Sequence, residues 1–306
     1  MLKNELNVSL AKKQFNWAKK EEQIMALGVI LIPTFATILS IFWSWLYGIK
    51  IVDLEMFLGM YAITTIGITA GYHRLFTHRS FQTNKVIKVL LVIMGSMAVQ
   101  GPILFWVATH RRHHLISDRP EDPHSPVREE KGFMSILKGF WHAHIGWMLN
   151  HEPENWVKYV PDLLRDKLVF QLNQWYFYWI LLGLLIPAIL DGLLTYSWQG
   201  LVSGLLWGGL VRIFIVHNVT WSINSLCHLF GFRAYETEDQ SRNNMICGLL
   251  AFGEGWHNNH HAFPNSARHG LKWWQIDVTY YLIDALAKIG LAENVKLPNL
   301  NQIRNN

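Results

Sequence analysis

The chain has 306 residues, 51% of them hydrophobic and only 16% charged, with fifteen tryptophans; this balance excludes an ordinary soluble domain and points to a bilayer as solvent. A net charge of +5 suits contact with an anionic membrane face or an acidic partner, and no nucleic-acid motif accompanies it. Cys227 and Cys247 give neither a metal-binding spacing nor a disulfide framework.

Residues 1–23 are polar and lysine-containing and are expected as a cytoplasmic N-terminal segment rather than a cleaved leader. A first transmembrane span is expected at about 24–47, uncharged and long enough to cross hydrocarbon, and a second at about 54–73. Phe57 and Tyr61 lie one turn apart on the second span. If their face lines a channel they close its far end; lipid-facing or interhelical packing is the competing expectation.

Residues 86–107 are apolar but broken by Gln100, Gly101 and Pro102. A crossing there would set His110 some 30 Å of hydrocarbon away from His73, so an interfacial or re-entrant segment is expected instead. Two further spans follow at about 175–194 and 200–223, the last carrying Arg212 near mid-membrane, where it should pair internally. Residues 24–285 thus form the main domain, and 286–306 a C-terminal tail. Lys3, Lys12, Lys13, Lys19 and Lys20 precede the first span, whereas the loop from Asp191 to Gly200 has no Lys or Arg. The positive-inside rule then predicts a multi-pass protein with both termini cytoplasmic.

Four crossings place nine of the fifteen histidines on one side: His73 and His78; His110, His113 and His114; His228; and His257, His260 and His261. Spacings of three and four within the second and third clusters put each on one helical face. So many imidazoles exceed one ion's needs and imply a two-metal centre. His124, His142, His144, His151, His217 and His269 are read as ordinary satisfied histidines. Glu121 to His124 and Glu254 to His257 match the Glu-x-x-His pattern of carboxylate di-iron bundles, but the supporting helical glutamates are missing. A histidine-ligated di-iron site for O₂ activation is the stronger reading, with zinc or manganese left open by the residues alone.

Gly71-Tyr-His-Arg-Leu-Phe-Thr-His78, Thr109-His-Arg-Arg-His-His114 and Gly253-Glu-Gly-Trp-His-Asn-Asn-His-His261 resemble the three histidine boxes of membrane fatty-acid desaturases. The likeness extends through Asp122-Pro-His-Ser-Pro126, Gly146-Trp147, Trp221-Ser-Ile-Asn-Ser-Leu-Cys-His228 and Ser241-Arg-Asn-Asn244, and is greatest to the Δ9 acyl-CoA and acyl-lipid enzymes, particularly bacterial ones. The resemblance implies an all-α integral membrane protein, four transmembrane helices in two hairpins, with a cytoplasmic helical cap holding a di-iron site. It further implies that the nine histidines ligate two Fe ions and that Asn224 holds a metal through water. Trp221 and Thr220 match positions near the bend of the acyl channel. The implied reaction is insertion of a cis double bond into a saturated acyl chain, using O₂ and two electrons.

Where animal acyl-CoA enzymes carry Arg-Asp before the second box, this chain has Ala108-Thr109, which favours a membrane-lipid acyl ester over acyl-CoA. No His-Pro-Gly-Gly haem motif occurs, so a separate electron donor of ferredoxin or cytochrome b5 type is expected. The competing expectations are a fatty-acyl hydroxylase using the same oxidant and a metal transporter. The latter suits histidines along a crossing path with intramembrane carboxylates, not a cluster at the membrane face.

Overall fold

The computed structural model describes residues 2–127, 132–150 and 155–299, with side chains from residue 20 onward apart from that of residue 150. Met1, residues 300–306 of the expected tail and His151 therefore lie outside it. The described chain is mostly helical.

Helix α1 (Leu2–Tyr47) winds the polar N-terminal residues and the first apolar run into one helix. Its outward residues Phe35, Ile38, Ile41, Phe42 and Trp45 are exposed, an inverted pattern that hydrocarbon accommodates and water does not. Helix α2 (Ile51–Ile66) continues as a π-wound segment through Gly67–Thr77, every residue of which is buried. This makes the second apolar helix run Ile51–Thr77, beyond the expected 54–73. The segment approaches α3 (Lys85–Ser96) at Gly67, where a Cβ would overlap the backbone of Met94 and Gly95. The side chain of Asn84 caps α3 by accepting a bond from the Ile87 N–H.

Helix α3 stops at Ser96, and after a turn through Val99 (φ 60°) and Gly101 (φ 100°) helix α4 (Ile103–Ile116) begins behind Pro102. Small helices follow: α5 (Phe133–Trp141), α6 (Trp147–Asn150), α7 (Pro161–Arg165) and α8 (Lys167–Gln174). The remaining apolar helices are α9 (Tyr176–Leu194) and a long rod of α10 (Trp198–Gly204), a π-wound stretch Leu205–Val211 and α11 (Arg212–Leu229). Four helices are thus long and apolar enough to cross a membrane.

Beyond α11 lie α12 (Met245–Leu250), α13 (His257–Ala262) and α14 (Val278–Lys288). Strand β1 (Gln82–Thr83) pairs antiparallel with β2 (Ala292–Glu293), tying the far end of the chain to the segment after α2. The main core gathers Tyr72, Phe76 and Phe81 with Val92, Leu104, Val107 and Ile283, so the packing around the first two histidine clusters is continuous.

Candidate metal centre

The nine histidines converge from four segments and divide into two sets. The ring nitrogens of His73, His78, His110, His114 and His260 lie within 4.8 Å of one another, as do those of His113, His228, His257 and His261. Local winding explains the division. His73 and His78 are five apart, a spacing that an α-helix splays but that i→i+5 winding stacks, and their Nε2 atoms lie 3.1 Å apart. On α4, His110 and His114 (Nε2 to Nε2, 3.1 Å) share one face while His113 turns to the other set. On α13 the assignment inverts: His257 and His261 join the second set and His260 the first. Helix α11 adds His228, its Nε2 3.0 Å from that of His257.

Carboxylates hold the outer nitrogens. His73 Nδ1 meets Glu254 at 2.6 Å, His113 Nδ1 meets Asp122 at 2.9 Å, His228 Nδ1 meets Asp118 at 2.8 Å and His261 Nδ1 meets Asp239 at 2.6 Å. Where Nδ1–H is donated to a carboxylate, as on His113, His228 and His261, the inward Nε2 carries a lone pair, the form that binds a metal. Burial and then the neighbouring imidazoles hold His78, His110, His114, His257 and His260 well below the usual histidine range, in the neutral form that ligation needs. Burial alone would raise Glu254, but His73, Arg74 and His269 outweigh it and keep it ionised. Burial likewise opposes charge on His113, yet Asp122, aided by Asp118 and Asp239, raises its pKa.

A metal fits this donor set. His73 Nε2 sits 3.1 Å from the Nε2 of both His78 and His260, a convergence of lone pairs that a shared cation relieves. Imidazole nitrogens bound at ~2.0–2.1 Å to one divalent ion lie about 2.8–3.0 Å apart when they subtend a right angle, and slightly farther at wider angles. His261 Nε2, buried with no hydrogen-bond partner, is available to the second set.

Several supports escaped the sequence reading. His269, read as ordinary, shares Glu254 with His73, and His124 stands beside His113 and Asp122. Asn258 accepts from the backbone of Ala234 and Tyr235, and Asn259 donates to the His269 carbonyl and Gln275, so the two residues inside the third histidine cluster pin α13 from both sides. A buried amide pair between ligand-type histidines is the signal that could have found them. Glu254, flagged only as a formal di-iron glutamate, binds His73 and Arg74.

The centre heads an apolar cavity of about 860 Å³. His73, His110, Glu254 and His257 border its polar end, and Pro33, Leu184 and Leu210 are among its apolar lining. Thr220, Trp221 and Asn224 line it too, Asn224 one turn before His228 on α11. Gln100 Nε2 donates to Thr220 Oγ1 at 2.9 Å, and Trp106 Nε1 donates to Gln100 at 3.3 Å, a latch across the cavity wall. Phe57 and Tyr61 are not among the lining residues; they stack on one another, and the Tyr61 hydroxyl donates to the Leu250 carbonyl.

The profile of the fatty acid desaturase family matches residues 52–295. The chain is 51% identical over 275 residues to a hex-5-enoyl-[acyl-carrier protein] acetylenase of Moorena producens, covering 89% of this chain and 86% of that protein. It is 42% identical over 295 residues to an sn-1 stearoyl-lipid 9-desaturase of Anabaena variabilis, 95% of this chain and 97% of the relative. It is also 37% identical over 297 residues to a chloroplastic palmitoyl-monogalactosyldiacylglycerol delta-7 desaturase of Arabidopsis thaliana, 94% and 73% respectively.

Proposed function

The chain belongs to the fatty acid desaturase family and is an oxidoreductase acting on acyl lipids, and from that premise we propose that it inserts a cis Δ9 double bond into a saturated acyl chain. The observation that carries the reading is the meeting of two histidine sets at the head of a long apolar cavity. Two irons would be held here, one by His73, His78, His110, His114 and His260, the other by His113, His228, His257 and His261, with Asn224 as a further, water-mediated contact. When bound, they supply the oxidising power by which O₂, two electrons and two protons take two hydrogens from a methylene pair, giving one alkene and two waters.

The remaining work is positional and falls to this chain. Thr220, Trp221 and the Gln100 latch shape the wall around the reacting methylenes, and the apolar lining excludes water. Asp118, Asp122 and Asp239 hold the Nδ1 protons of His228, His113 and His261 and fix each ring's aim, and Glu254 lies against His73. Pro33, Leu184 and Leu210 line the cavity and Phe57 and Tyr61 do not, which favours the packing role for the two aromatics.

An intact bilayer lipid is the favoured substrate over acyl-CoA. Met25, Ile32 and Phe177 line the cavity and are also 55%, 61% and 71% exposed on apolar helices, so the cavity opens sideways toward hydrocarbon. Its volume also exceeds what a six-carbon chain, such as that in the name of the acetylenase relative, can fill. The two hairpins and the cytoplasmic cap are supported by the way α11 and the π-wound end of α2 deliver His228 and His73 to one centre. Electrons come from a separate ferredoxin or cytochrome b5 type donor. The test is expression in a desaturase-deficient host with positional analysis of double bonds in each lipid class. A Δ9 monoenoic lipid is expected; a hydroxylated or acetylenic product in its place would refute the reading.

A further inference from the structure

We infer that Arg212 is a positioning residue for this reaction: it ties the turn between α3 and α4 to α9 and α11, and thereby sets which carbon of the acyl chain lies against the metal centre. The inference rests on the desaturase reading above.

Backbone groups freed by a helix break inside hydrocarbon have no water to turn to. Two such breaks meet at Arg212, whose side chain is fully buried. Its Nη1 donates to the Met97 carbonyl at 2.6 Å, one of the groups left over where α3 ends. Its Nη2 donates at 3.1 Å to the Gly183 carbonyl, the acceptor in α9 that Pro187, lacking an N–H four residues on, leaves unpaired. Its Nε donates at 3.1 Å to the Gly208 carbonyl in the π-wound stretch before α11. One planar fork thus reaches carbonyls of three elements, two of them freed by helix breaks, geometry that guanidinium offers and ammonium does not.

The turn so held is a wall of the cavity. Val99, Gln100, Gly101 and Pro102 all line it, whereas Arg212 does not, so Arg212 acts on substrate only through the turn. Other partners hold the same turn: His217 Nε2 donates to the Ala98 carbonyl at 2.9 Å, the Gly101 N–H donates to the Tyr176 hydroxyl at 2.9 Å, and Gln100 donates to Thr220. Val99 confirms the constraint, because a β-branched residue at φ 60° persists only where its surroundings over-determine it. Ile180 and Leu184 of α9 and Ile213 and Val216 of α11 line the same cavity. Loosening the turn changes the path of the chain between these walls, and a slip of one methylene changes the carbon attacked.

The experiment expresses full-length Arg212→Met in the desaturase-deficient host and measures double-bond position by mass spectrometry, with iron per purified protein alongside. Expected are iron content close to the parent's, a yield lower on the order of 10- to 100-fold, and a several-fold rise in minor positional isomers relative to the main product. A purely structural role would lower yield without redistributing positions. If Arg212→Met does not accumulate, Arg212→Lys decides, since it keeps the charge but cannot span three carbonyls and should also broaden the isomers. The parent's single position from whichever variant accumulates, or loss of iron in step with activity, would overturn the inference. Absence of any new double bond with the parent chain would instead overturn the desaturase reading.

Discussion

Asp239 touches no substrate, yet it decides what His261 can do. Its carboxylate accepts a hydrogen bond from His261 Nδ1–H at 2.6 Å and is itself held by Ser241 and Thr237, which fixes the ring with its Nε2 free of hydrogen bonds. Asp239→Asn should therefore lower iron affinity or activity by about 10- to 100-fold, as expected for such outer partners. Iron per protein and turnover measured together check this; a variant with parental values for both would remove Asp239 from the centre. That the histidines gather in buried groups was legible in the sequence, but the single helical face expected for each cluster was not what formed: His113 and His260 turn to the opposite set from their neighbours. The carboxylates were not legible, since Asp118, Asp122 and Asp239 sit in irregular loops where no periodicity says which way a side chain turns. Nor was the five-residue spacing of His73 and His78 interpretable before the π-winding was seen.

At the scale of elements, close approach governs α2 and α3. The Gly67 position admits no Cβ, because the backbone of Met94 and Gly95 already occupies that space. Gly67→Ala should lower stability by about 1–3 kcal/mol or more, read as an earlier unfolding midpoint in detergent; an unchanged midpoint would mean that α3 can shift. Helix α4 has a second anchor in Arg111, which donates to the Phe76 and Thr77 carbonyls at the end of the π-wound segment and to Asp162 on α7. Burial alone would raise Asp162, but Arg111 and Arg79 outweigh it and lower its pKa to about 2. A depressed carboxylate stabilises the fold at pH values above its unfolded pKa of about 3.9 and loses that contribution as pH falls toward its folded value. Acid titration should thus show Asp162→Asn and parent converging in stability between about pH 4 and pH 2. A constant difference across that window would count against the ion pair. The existence of four long apolar helices was readable from composition, but their ends were not. Both long rods run past the predicted boundaries, the second to Thr77 and the fourth to Leu229, because histidine-bearing turns remain helical beyond the apolar residues.

For the whole molecule, the charge asymmetry of the loops and the convergence of the histidines lead to one orientation. A reporter near Ser117 and another at the C-terminus should read cytoplasmic, and one near Ser197 external; an external signal at Ser117 would defeat the orientation. The ligand sets interlock across the molecule: α4 gives two histidines to one set and one to the other, and α13 does the reverse. Under the proposed two-iron assignment, neither ion would organise its own ligands without ordering the two helices that serve its neighbour, so the first ion bound would lower the ordering cost of the second. Iron loading is accordingly predicted to be cooperative, and native mass spectrometry during titration of metal-free protein should find the mono-iron species below its statistical share. A dominant mono-iron species would refute this. A cell short of iron would then hold a divided population, fully armed molecules beside empty ones, and its membrane fluidity would follow the number of active enzymes rather than a uniform weakening of each.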